Sequence, residues 1–185
     1  MQVQIKSMVY IADKEVLVVG DADGRVYHYD GANVGRRVRG EYHEDSPIAQ
    51  LVGTADKIYS VGHDMQVIAY KFVEGGEIEW ASAYKHERGL RSVAVVGGRV
   101  VVVGAKELIS FDADLGAKEV KELGYEGRLV VGNGDSLFVA DSAGVVHVHG
   151  LDLAEKEEFV KQQHEVTCMA ISADGKVLVT GDSYR

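Results

Sequence analysis

Hydrophobic and polar positions alternate along this chain over short stretches, and Gly/Asp turns separate one stretch from the next. Residues 16–30 set the pattern. Val16, Leu17, Val18 and Val19 run apolar into Gly20, Asp21, Ala22, Asp23 and Gly24, and Val26 leads out again into Tyr27, His28 and Tyr29. Gly takes positive φ without steric cost and Asp bonds its own backbone, so the stretch predicts a β-hairpin. The hairpin returns at 139–149, turning at Asp141 and Gly144, and in variant form at 58–70, turning at Asp64. Its markers keep one period. Gly20 to Gly62 and Gly62 to Gly104 are each 42 residues, Gly104 to Gly181 is 77, His43 to His86 is 43 and His86 to His164 is 78. Several independent markers on one spacing predict a repeated, mostly four-stranded antiparallel unit.

Taken in order, the pattern predicts units at about 3–42, 47–84, 90–123 and 128–161, and an incomplete unit at 166–183, within one domain over 1–185. Pro47 opens the second unit, where a strand tolerates proline. The unbroken run Val100, Val101, Val102, Val103 predicts a strand buried on both faces, nearest the centre of the assembly. Residues 153–161 are good helix formers, yet their place in the period asks for an outer strand, and the period is given precedence.

Composition supports a packed all-β protein. Of 185 residues 46% are hydrophobic, with 22 Gly and one Pro, which suits many tight turns around a real core. The net charge of -9 disfavours binding of nucleic acid, or of an anionic membrane surface, through the overall field. The one cysteine, Cys168, excludes an intrachain disulfide, and its apolar surroundings predict a small buried core residue. With no secretory signal, no membrane-spanning apolar run and no disulfide framework, the expected location is the cytoplasm.

A His, Ser and Asp in one unit invite a catalytic reading. In the second unit His43 precedes the first strand, Ser60 lies in the second, Asp64 at the tight turn and Tyr70 in the third. This set resembles the one that WD-repeat β-propellers use to staple a blade, with Tyr70 where that family often has Trp. The resemblance implies hydrogen bonds that lock a loop, with no exposed nucleophile. The other units carry fragments of the set: Asp23 and Tyr29 as counterparts in the first, His86 and Phe111 in the third, Asp141 without a preceding His in the fourth, His164 and Thr180 in the fifth. His147 and His149 share one strand face at a spacing that could chelate, but no Cys or carboxylate completes a metal set by spacing. No phosphate loop and no acid/base pair stands out, so neither cofactor, metal nor enzymatic activity is expected.

The order of further motifs resembles the C-terminal propeller of the actin-interacting, cofilin-cooperating WD-repeat proteins. The matching features are Asp23 to Tyr27, His43 before Ile48, Lys57 to Asp64, Ala105 to Phe111 and Val145 to His149. The resemblance implies binding to actin filaments decorated with cofilin, help in their disassembly, and association with the cytoskeleton. It carries no contact residue to this chain. The alternative is a WD-repeat scaffold subunit of another intracellular complex. Four four-stranded units plus two strands leave ordinary ring closure without its parts, which predicts a fragment whose open edges pair with another copy or with the rest of a parent protein. The loops at 41–46 and 85–89 are candidates for partner contact by position alone.

Overall fold

The computed structural model describes residues 4–30, 36–37, 43 and 45–183, with the backbone alone at 36 and 37. Two compact units divide the chain at residue 90. In the first, β1 (Ile5–Ile11), β2 (Val16–Asp21), β3 (Val26–Asp30) and β4 (Arg36–Arg37) form one antiparallel sheet in that order. A second follows from β5 (Ile48–Gly53), β6 (Lys57–Gly62), β7 (Gln66–Phe72) and β8 (Ile78–Lys85). β1 packs against β5, and Ile11, Val16, Val18, Ile48, Leu51, Ile58, Ile68 and Tyr70 bury a common core between the sheets. The expected continuation of the first outer strand through Tyr42 lies outside the described residues.

The second unit contains β9 (Leu90–Val96), β10 (Arg99–Gly104), β11 (Glu107–Phe111) and β12 (Lys118–Glu122), then β13 (Gly127–Asn133), β14 (Ser136–Asp141), β15 (Val145–Gly150) and β16 (Glu155–Lys161). A two-stranded sheet, β17 (Val166–Ile171) with β18 (Leu178–Asp182), completes it. Ala94, Val96, Val101, Val103, Leu108, Val130, Leu137 and Val139 form its main core. Residues 155–161 are a strand despite their helical propensity. Paired with β15 and exposed on every side chain, they gain ladder hydrogen bonds that a lone helical turn would lack.

Two expectations need correction. Val100 to Val103 are buried on both faces, but β10 is an interior strand between β9 and β11. An end strand is what the centre of a propeller requires, whereas β10 owes its burial to what packs on its faces, Val101 and Val103 meeting Val130, Leu137 and Val139 of the next sheet. Cys168 is exposed. Met169 and Leu178 turn toward β13–β15 and pack on Leu129, Phe138, Ala140 and Val146, while Cys168 lies on the other, uncovered face of a two-stranded sheet.

The pairing registers place the repeats in phase. The first strand of each of four sheets carries the same irregularity, at Ile5/Ser7, Ile48/Gln50, Gly127/Leu129 and Val166/Cys168. One extra residue there bends the strand and raises its twist. Counted from that point, Ser7, Gln50, Leu129 and Cys168 are equivalent, and so are Met8, Leu51, Val130 and Met169.

Candidate functional site

His43 brings the predicted set together. Its Nδ1 lies 2.7 Å from Asp64 Oδ1 and its Nε2 2.8 Å from Ser60 Oγ, and Ser60 Oγ is 3.5 Å from Tyr70 OH. With Nδ1–H donated to the carboxylate, Nε2 is left to accept from the Ser60 hydroxyl. Asp64 also accepts from the Gln66 backbone N–H (3.2 Å) and side-chain amide (2.7 Å). Burial pushes the Asp64 carboxyl up, but the bond to His43, its charge and the Gln66 donors outweigh this and hold it below its ordinary value.

An Asp–His–Ser chain at these distances has the connectivity of a catalytic triad. Access separates it from one. His43, Ser60 and Tyr70 are all fully buried, so no substrate carbonyl reaches the Ser60 oxygen. His43 is held from the backbone as well, donating its N–H to the Gly24 carbonyl.

The fourth sheet holds a second polar cluster that sequence spacing missed. His147 Nε2 lies 3.2 Å from Asp141 Oδ2 and its Nδ1 2.9 Å from Glu155 Oε1. Tyr125 stacks flat on the His147 ring at 3.6 Å between centroids, and its hydroxyl lies 2.5 Å from His149 Nε2. His149 Nδ1–H donates to the Leu153 carbonyl at 3.0 Å, so Nε2 of the neutral ring accepts from Tyr125. Burial pushes the His149 imidazole below its ordinary value, against the pull of the Leu153 carbonyl and the Glu155 charge. Burial, then the charges of Glu155 and Asp141, push the Tyr125 hydroxyl above its own. Both shifts keep the pair neutral. No group of three or more His, Cys, Asp or Glu among the described residues is arranged to hold a metal ion.

Phase explains the miss. Gly20 pairs with Val26, Val61 with Val67 and Ala140 with Val146. Asp141 therefore stands one residue past the paired position, as Asp21 does, whereas Asp23 and Asp64 stand three past it. Asp23 is no counterpart of Asp141. The buried Asp21 and Asp141 each accept two backbone N–H bonds, from residues two and four further on. Asp23 pairs with Arg25 at 2.9 Å on a half-exposed turn, and Tyr29 is 40% exposed where Tyr70 is buried. In the fifth sheet Thr180, the counterpart of Ser60, accepts from the Gln162 side-chain amide at 3.0 Å. The signal for the fourth-sheet cluster was present in Asp141 and His147, and an outer strand was expected at 155–161, but Glu155 joins through the irregular β15–β16 register that sets it opposite His149, which the repeat period does not fix.

Of the loops proposed for partner contact, residues 41, 42 and 44 lie outside the described residues, and Glu87, Arg88 and Gly89 are exposed.

No protein-family model matches the chain, and no curated protein matches it. Solved structures do. The chain is similar to the computationally designed Ika8 protein (TM-score 0.79, 18% identity, 97% of this chain and 55% of that one). It is similar to the Pan2 WD40 domain of Neurospora crassa (0.73, 16%, 98% and 57%) and to the Cps50 (Swd1) β-propeller domain of Myceliophteria thermophila (0.82, 13%, 98% and 63%). At such identities the likeness is one of fold, and the chain spans 55–63% of the length of these structures. The fold is an all-β, partial WD-repeat β-propeller of four four-stranded antiparallel blades and an incomplete fifth.

Proposed function

We propose that the chain is a protein–protein interaction module that recognises its partner through surface loops and outer strands. The observation that carries this reading is the burial of the histidine at the centre of each His–carboxylate cluster, His43 and His147. His43, Ser60, Asp64 and Tyr70 act as a blade staple, and Asp141, His147 and Glu155 serve the fourth blade in the same way. Their hydrogen-bonding capacity is spent inside the sheets, which leaves exposed β12, β16 and the turns to meet other molecules. Among the described residues no helix is long and apolar enough to cross a membrane.

The finer reading names the partner as the cofilin-decorated actin filament, in the cytoplasm and at the cytoskeleton. Support comes from the ordered motifs at 23–27, 43–48, 57–64, 105–111 and 145–149. Co-sedimentation of the chain with filaments, with and without cofilin, tests it. Binding that depends on cofilin supports the reading. Absence of binding in both conditions leaves the scaffold of another complex.

A further inference from the structure

The turn between β13 and β14 holds the one Asn–Gly pair of the chain, Asn133 and Gly134, while the other asparagine, Asn33, precedes the β-branched Val34. Asparagine before glycine is the sequence most open to loss of its side-chain amide. The glycine nitrogen has no side chain beside it and is free to approach the asparagine Cγ. Here Gly134 and Asp135 are exposed. Gly134 has φ of 59°, and a Cβ added there would meet nothing within 4 Å. The attacking nitrogen and the solvent therefore reach each other.

Asn133 itself is held away from that reaction. It is half-buried, and its Nδ2 donates to the carbonyls of Ser172 and Ala173, each at 2.9 Å, in the turn between β17 and β18. Both amide protons are thus spent on the neighbouring blade. Its backbone is the last of β13, paired with Ser136. Closure onto Gly134 needs the side chain folded back along its own backbone, which breaks both bonds to the turn. That turn keeps its own shape. Ser172 Oγ accepts the Val177 N–H at 3.0 Å and donates to Asp174 Oδ1 at 2.6 Å, and the Gly175 N–H bonds the Ser172 carbonyl at 2.9 Å. Asn133 is therefore freed when the turn lifts off the fourth blade.

We propose that Asn133 is a latent deamidation site, unreactive while the β17–β18 turn is docked and converted when that turn lifts. The Gly134 nitrogen attacks Asn133 Cγ, and the bond from Cγ to Nδ2 breaks. The Gly134 proton leaves with the amine as ammonia, and a cyclic succinimide remains. Water then adds to one of its two carbonyls and breaks that C–N bond, giving aspartate or isoaspartate. The product cannot restore the contact. Its carboxylate has no proton to donate and would face two carbonyl oxygens, in a turn that already carries the Asp174 carboxylate. Conversion runs in one direction, and each event leaves the fourth and fifth blades without this joint.

Incubation of the whole chain at mildly alkaline pH, native and in urea, tests the site, with amide loss read by mass in the tryptic peptide that begins at Leu129. Asn33 falls in another peptide, and isomerisation of the Asp–Gly pairs leaves mass unchanged. Loss at Asn133 is expected in both conditions, at least about tenfold slower in the native chain. Ser172→Ala removes the Val177 and Asp174 bonds but keeps the carbonyls, and is expected to raise the native rate about threefold or more. Asn133→Asp is expected to speed hydrogen exchange in β17 and β18 and to leave β10 and β11 as they were. Where that variant fails to fold, the converted fraction of the wild-type chain, separated by its added charge, takes its place. No loss in urea, equal loss in native and unfolded chains, a native rate indifferent to Ser172→Ala, or exchange in β17 and β18 unchanged by the new carboxylate overturns the proposal.

Discussion

His43 shows how much one buried side chain holds. Removing it strands the Ser60 hydroxyl and the Asp64 carboxylate together, so His43→Ala is expected to cost about 2–4 kcal/mol in urea unfolding, and Ser60→Ala about 1–2 kcal/mol. Acid titration isolates the carboxylate. The Asp64 carboxyl sits below its ordinary value in the fold, so its contribution is fully present above that value and is lost as pH falls through the lower, folded one. The stability gap between wild type and Asp64→Asn is therefore expected to close as pH drops below the ordinary carboxylate range. At His149 the sign is opposite in origin but alike in direction. Its folded value is depressed, so the unfolded chain binds the proton more readily and stability falls as pH drops below the ordinary imidazole value. NMR is expected to show His149 still neutral there, protonated at Nδ1. Tyr125→Phe, which leaves Nε2 without its donor, is expected to cost about 1–3 kcal/mol.

At the scale of the element, the hairpin turn carries a second constraint. Four residues past the paired position stand Gly24, Met65 and Gly144, with φ of 80°, 66° and 83°. Each carbonyl there accepts the N–H of the chain returning from the outer strand, from His43, His86 and Gln162. Two of the three are glycine, as left-handed backbone favours, and Met65 bears the strain of a side chain in that region. Met65→Gly is expected to stabilise by about 1 kcal/mol, and Gly144→Ala to destabilise by more than about 1 kcal/mol, since its Cβ would come within 2.4 Å of the His164 backbone carbonyl oxygen. Thermal unfolding of both variants checks the pair. The hairpins were legible in the sequence because β-branched runs and Gly/Asp turns are local chemistry, and the strand at 155–161 because the period outweighed propensity. The phase of each aspartate was not. Asp23, Asp64 and Asp141 sit in look-alike turns, and only inter-strand pairing tells the first turn residue from the third. Cys168 misled for a related reason: an apolar run predicts a strand but not which of its faces finds a neighbour.

At the scale of the molecule, each chain carries a net charge of -9, so long-range repulsion opposes the approach of separate copies and added salt screens it. Light scattering at low and at high ionic strength is expected to show that repulsion fade as salt is added.

The irregularity shared by the first strands has one more consequence. Side chains along a strand alternate between its faces, so one residue more or less turns every later side chain over. An extra residue kept at Ile48/Gln50 and at Gly127/Leu129 is thus a frame mark, and losing it is expected to carry Leu51 or Val130 from the buried face to the other.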